Sequence, residues 1–106
     1  MRLHSRIRIA VMEIKHVEKG GRGGFVIRGE NGKRVAEMTY TTAGETGFII
    51  DHTEVDESLR GQKVGDRLLA EAVKYARANN LKIFATCPFA LAKLKKTADY
   101  ADVFGG

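Results

Sequence analysis

The pair Asn31-Gly32 constrains this chain more than any other feature. It separates two runs, "GFVIRGE" and "KRVAEMTYT", and a two-residue type I′ loop needs positive φ at both central positions, which Asn and Gly tolerate best. With Glu30 set opposite Lys33, Phe25 faces Met38 and Ile27 faces Ala36. Phe25, Ile27, Ala36, Met38 and Tyr40 then share one apolar face. A slip of one residue would turn that whole set toward water, so the register is specified. A chain with this hairpin is committed to an antiparallel sheet with one buried face.

The remaining segments extend that sheet. Residues Ala43 to Gly47 read as a second turn, and "FIIDHTEV" as a further strand of the meander. Upstream, Met12 to Val17 reads as a short first strand, and Lys19-Gly20-Gly21-Arg22-Gly23-Gly24 as a flexible breaker. Downstream, a helix is expected from about Gly61 to Asn79. Its apolar stripe is Val64, Leu68, Leu69, Ala72, Val73 and Ala76, with charged residues largely on the other side. Asn79-Asn80 supplies a left-handed helix end. "LKIFATC" is rich in strand formers and, coming after a helix, is expected to run parallel to the preceding strand through a right-handed crossover. Pro88 suits the first turn of a helix through about Lys96. The tail "TADYADVFGG" is expected to be ordered through Tyr100, Val103 and Phe104. The class is α+β: a mostly antiparallel sheet with one long helix and a C-terminal helix.

At 106 residues the chain has room for one core, and we assign residues 12–106 to a single domain. Residues 1–11 read as a leader or N-terminal extension, although Ile7, Ile9 and Val11 alternate well enough to add an edge strand. The net charge of +5 invites a nucleic-acid reading, but without Arg2, Arg6 and Arg8 of that segment it falls to +2. The chain also lacks aromatics interleaved with basic residues, so nucleic acid is not the expected partner. No window approaches the run of about 18 apolar residues that a membrane span needs. One cysteine, Cys87, excludes an internal disulfide and a multi-cysteine zinc site, which makes a reducing cytoplasm the expected compartment. His4 and His16, without cysteine partners, carry no metal signature.

The chemistry-bearing stretch is Arg60-Gly61-Gln62-Lys63-Val64-Gly65, placed where a strand hands over to the long helix. A helix N-terminus carries unpaired N–H donors and the positive end of the dipole, so a turn of small residues there can wrap an anion. Arg60 and Lys63 add cationic partners. A solvated first turn, with glycine present for packing, fits the same spacing.

The run from "HTEV" through "RGQKVG" into an amphipathic helix, followed by a strand ending "CPF", resembles the small GNAT-like N-acetyltransferases, a single-domain branch of the GNAT superfamily. The resemblance spans about residues 12 to 104. It implies an acyl-CoA N-acyltransferase fold reduced by the loss of the superfamily's first two helices, with acetyl-CoA as donor. The superfamily pattern Arg/Gln-x-x-Gly-x-Gly/Ala binds the donor's pyrophosphate through backbone amides. Arg60 matches its first position and Gly65 its last, with Gly61, Gln62 and Val64 between, while Lys63 stands where the pattern has its first glycine. The resemblance further implies that the backbone of Glu54 and Val55 pairs with the pantetheine arm. It also sets Cys87, with Pro88 and Phe89 after it, beside the thioester. Without the first two helices the acceptor side is open.

Cys87, at a helix start, would feel the positive helix end that favours thiolate, and could carry the acetyl group transiently; a buried structural cysteine is the alternative. His52 and Glu54 share strand parity, and either could take the proton that an amine must lose before it attacks. Tyr100 could protonate the leaving thiolate or simply pack the tail. Lys93, Lys95 and Lys96 could screen the donor's phosphates or form a solvated helix face. The leading function is acetyl transfer from acetyl-CoA to an amine of a small molecule or protein, by a monomer or weak homodimer. The alternative is a CoA or acyl-CoA binding module without turnover.

Overall fold

The sheet is built in chain order from β1 (Lys15–Lys19), β2 (Arg22–Arg28), β3 (Arg34–Ala43) and β4 (Gly47–Val55), all antiparallel, followed by β5 (Lys82–Ala85) parallel to β4. Two α-helices, α1 (Val64–Asn79) and α2 (Pro88–Lys96), flank β5 in the chain, with short 3₁₀ turns at Glu57–Leu59 and Ala98–Tyr100. This computed structural model describes residues 13–106. The leader at 1–11, the added edge strand through Ile7, Ile9 and Val11, and Met12 lie outside the described residues.

The expected breaker at Lys19 to Gly24 is instead a tight hairpin. Gly20 and Gly21 have φ of +61° and +83°, which meets the positive-φ demand of a two-residue loop, so β1 runs on to Lys19 and β2 starts at Arg22. The Asn31-Gly32 turn differs in the other direction. Only Gly32, at φ +83°, is left-handed. The Gly32 N–H donates to the Gly29 carbonyl (3.0 Å), the Gly29 N–H to the Lys33 carbonyl (2.8 Å), and Asn31 Oδ1 accepts from the Lys33 N–H (3.1 Å). The loop therefore holds three residues, a type I turn closed by a left-handed glycine. Val35 takes up the extra residue as a bulge, because Arg28 pairs with Arg34 but Ile27 with Ala36. Beyond the bulge Phe25 faces Met38 and Ile27 faces Ala36, as the sequence predicts.

Helix α1 starts at Val64 rather than near Gly61. Lys63 adopts the left-handed conformation (φ +57°, ψ +35°), which cannot continue a right-handed helix, and the first helical bond runs from the Arg67 N–H to the Lys63 carbonyl (3.1 Å). Asn80, left-handed at φ +55°, ends it. Strand β5 stops at Ala85, two residues short of expectation, because the N–H groups of Thr86 and Cys87 both turn onto the Ile50 carbonyl (3.0 and 3.2 Å).

One core joins these elements. The expected stripe of α1 packs on Phe25, Ile27, Met38, Tyr40, Phe48 and Ile50 of the sheet, and α2 adds Ala90 and Leu94 to the same cluster. Each large aliphatic side chain buried this way contributes about 1.5–3 kcal/mol, so the apolar stripe fixes the helix to that face. Residues of the opposite alternation, among them Glu37, Thr39 and Thr41 on β3, point away from this core. The tail closes the far edge: Ile83 donates to the Val103 carbonyl (2.6 Å) and accepts from the Gly105 N–H (2.8 Å).

Candidate functional site

A β-bulge at Asp51 decides which side chains of β4 meet. Tyr40 pairs with Ile50 but Thr39 with His52, so Asp51 is the extra residue. Without it, His52 would stand opposite Met38 and point into the core. With it, His52 and Glu54 turn to the open face of the sheet, and Glu54 lies directly across from Glu37. The bulge is held by its own side chain: the Asp51 carboxylate accepts from Thr39 Oγ1 (2.7 Å) and Thr41 Oγ1 (3.1 Å). Arg22 approaches the same carboxylate at 3.8 Å.

His52 Nε2 sits 3.3 Å from Glu54 Oε1 and 3.5 Å from Glu37 Oε2, while Arg34 holds the other Glu37 oxygen at 2.9 Å. The structure thus brings the two candidate bases together and adds a third group that the sequence reading missed. Like charges directly opposite on neighbouring strands repel, and the imidazole edge and the Arg34 guanidinium are what offset that repulsion here. With both carboxylates facing Nε2, a neutral imidazole that donates from Nε2 to them presents Nδ1 as its lone-pair nitrogen. Glu37 was findable only by carrying the register through the bulge, for which the sequence has no marker.

On the other side of β4 the strand loses its neighbour. The pairing with β5 ends at Ile50, so among the described residues the edge from Asp51 to Val55 has no β5 partner. Thr53, on the core-facing alternation, lies 3.3 Å from Cys87 Sγ. Cys87 is only 6% exposed and forms part of the core cluster. It occupies the N-cap position of α2, with Pro88 after it, but its side chain makes no capping hydrogen bond.

The first turn of α1 follows that edge in the chain, after the 3₁₀ turn at Glu57–Leu59. Among the described residues no side chain caps it, and since the first helical bond is made by Arg67, the N–H groups of Val64, Gly65 and Asp66 have no partner among those residues, as at any α-helix start. Lys63 holds the left-handed geometry that a glycine would adopt without strain, and Gly61 is left-handed too, at φ +85°. Gln62 Oε1 is buried and has no hydrogen-bond partner among the described residues. The space that a side chain at Gly65 would need is filled by the Phe89 ring, 2.8 Å from the position of a Cβ, so this glycine lets α2 pack against α1. Lys93 of α2 pairs with Asp66 at 3.1 Å, neutralising the one acid in that turn, whereas Lys95 and Lys96 are solvent-exposed. Tyr100 packs against the core, joining the tail to it.

The sequence matches the family model of the GCN5-related N-acetyl-transferases over residues 24–103, a span that contains the bulge, the loop, both helices and Cys87. The chain belongs to the GCN5-related N-acetyltransferase family. Within it, the chain is 41% identical to a GCN5-like protein from Staphylococcus aureus, whose solution structure covers 90% of this chain and 89% of that one with a TM-score of 0.71. The fold alone is shared with a ribosomal-protein-alanine N-acetyltransferase from Brucella melitensis biovar Abortus 2308 (TM-score 0.61, 16% identity, 76% of this chain and 63% of that one). It is shared too with an aminoglycoside acetyltransferase from an uncultured soil metagenomic sample (TM-score 0.60, 20% identity, 76% and 59%). Among curated proteins no relative matches this chain. The five-stranded mixed sheet is therefore that of a GCN5-related acetyltransferase, with two α-helices among the described residues. No helix among those residues is long and apolar enough to cross a membrane.

Proposed function

We propose that this GCN5-related acetyltransferase transfers the acetyl group of acetyl-CoA directly to an amine that approaches from the open face. The observation that carries this reading is the edge of β4 from Asp51 to Val55, unpaired with β5 and bounded by the Cys87–Thr53 contact and the uncapped start of α1. The residues present fit the donor: three N–H groups with no helical acceptor stand beside a buried Gln62 oxygen that has no partner among the described residues.

Bound acetyl-CoA supplies the activated acetyl thioester. The N–H groups of Val64, Gly65 and Asp66 hold its diphosphate, with Arg60 and Lys63 as cationic partners. Lys93 cancels the charge of Asp66, which would otherwise oppose an anion there. Gln62 Oε1 accepts a hydrogen bond from the donor, and the backbone of Glu54 and Val55 orients its arm; Pro88 follows Cys87 at the thioester end, while the Phe89 ring, seated on Gly65, backs the diphosphate turn. His52 takes one proton from the acceptor's ammonium at Nδ1, and Glu37 and Glu54 stabilise the imidazolium that forms. The neutral amine's lone pair makes the new C–N bond as the C–S bond breaks, and the thiolate released takes up the proton the nitrogen sheds. Cys87 is a neighbour of the reacting carbon, held by Thr53 and screened from solvent, a setting that favours direct attack over a cysteine-borne acetyl group.

Calorimetric titration with acetyl-CoA tests the donor site, with binding expected for the wild type and lost in Arg60→Ala, Lys63→Glu. No binding to either protein would sink the reading and leave only a shared fold. Binding without turnover of any amine would make the chain an acyl-CoA binding module. Cys87→Ala should keep turnover within a few-fold; full loss of turnover with donor binding intact would install the acetyl-cysteine route instead.

A further inference from the structure

Across the open face, three rows of cross-strand neighbours run from β1 to β4. The middle row is Val17, Gly24, Thr39 and His52. Its second member has no side chain, and a groove of about 400 Å³ follows the first three members and stops short of His52, lined by Val17, Lys19, Arg22, Gly24, Arg34 and Thr39 among others. Lys19 and Arg22 line its β1–β2 end beside the acid Glu18, and Arg34 lines it from β3. The row ends at His52, where Glu37, Asp51 and Glu54 gather. Arg22 and Arg34 mark the boundary, since each also reaches an acid of that end, Asp51 at 3.8 Å and Glu37 at 2.9 Å. Lys19 has no ion pair among the described residues.

We propose that the acceptor is an amine carrying a carboxylate at its far end, with the carboxylate read by Lys19 and Arg22 over Gly24 and the amine delivered to His52. The inference rests on the acetyl-transfer reading above. Each end of such a molecule meets opposite charge, and a reversed pose would set carboxylate against Glu37 and Glu54, so the order of charges along the row favours one direction. Length is fixed as well. From the backbone at His52 to that at Gly24 is two strand spacings, about 10 Å, a charge separation that an α-amino acid cannot span and an extended ω-amino acid can.

The test is an amide-resolved NMR titration with 8-aminooctanoate, and with 1,8-diaminooctane, of the same length but cationic at both ends. The amides of Gly24 and Thr39 should shift saturably at millimolar 8-aminooctanoate and not with the diamine. Lys19→Glu, Arg22→Glu should weaken the response about ten-fold, the size expected when two exposed charge contacts change sign. Equal shifts with both probes, no saturable shift, or an unweakened response in the double variant would each overturn the proposal. Acetyl-CoA added to the same sample reports on Val64 and Gly65. A response there with a silent groove rejects this inference alone, whereas silence there with a responding groove rejects the donor reading and leaves the groove's charge preference standing.

Discussion

His16 carries a pH dependence that its place in the sequence does not announce. Its ring stacks on Phe25 at a centroid distance of 4.5 Å and meets Tyr75 edge-on at 4.4 Å, and Nε2 lies 2.6 Å from the Tyr40 hydroxyl. Burial pushes its pKa below the ordinary value of about 6.5, and the nearby Glu18 carboxylate only partly opposes that shift. Tyr40 is pushed the other way, above its usual range, chiefly by burial. Its hydroxyl therefore stays protonated and can donate to a neutral imidazole. A depressed folded-state pKa means that the unfolded chain binds the proton more readily. The stabilisation is fully present above about pH 6.5 and is lost as the pH falls through the lower, folded value. Urea midpoints measured from pH 8 down to pH 5 should fall in that window, and His16→Phe should flatten the decline. An unchanged slope in the variant would place the acid sensitivity elsewhere.

Among the elements, β4 shows most clearly what a sequence can and cannot disclose. Its alternation marks Phe48 and Ile50 as inward, and the parity of His52 with Glu54 is readable as spacing. Which face that pair occupies is not, because one extra backbone residue at Asp51 reverses it. The Asn31-Gly32 hairpin repeats the lesson in milder form: the apolar pairs stand as read, while a longer loop and the Val35 bulge cancel each other. The β4 bulge is held by side-chain hydrogen bonds across to the neighbouring strand, which no local sequence pattern marks. Those bonds come from Thr39 and Thr41 to Asp51. Asp51→Ala removes two bonds to a charged acceptor and should cost about 3 kcal/mol, at the low end for such bonds because the carboxylate is partly exposed. If the bulge also aims the base, the amides of His52 and Glu54 should shift well beyond those of Phe48 and Ile50. A stability loss with His52 and Glu54 undisturbed would show that the bulge persists without its clamp.

For the molecule as a whole, the apolar pattern was enough to predict a sheet with one covered face, since Leu68, Leu69 and Val73 can be buried only against Met38, Phe48 and their neighbours. The resemblance of residues 52–89 to small GNAT-like acetyltransferases supplied the function that the pattern could not. How the sheet closes at its β5 edge was least legible, because the tail's short polar run carries no strand periodicity. Yet both backbone groups of Ile83 are satisfied by residues 103–106, Phe104 bridges to Ile83 in parallel, and Val103 is buried. The tail thus acts as a sixth strand one residue wide. Ending the chain at Asp102 would keep the Arg77–Asp102 pair (2.9 Å) while exposing the Val103 site and leaving two backbone groups of Ile83 unpaired. Val burial at about 2 kcal/mol and two hydrogen bonds at about 1 kcal/mol each give an expected loss of about 4 kcal/mol. That is a large fraction of the 5–15 kcal/mol that typically stabilises a domain. Urea unfolding of the truncated chain, followed by tyrosine fluorescence because the protein has no tryptophan, should show the midpoint moving sharply down. A shift worth less than about 1 kcal/mol would mean that water replaces both bonds and that the β5 edge holds without its tail.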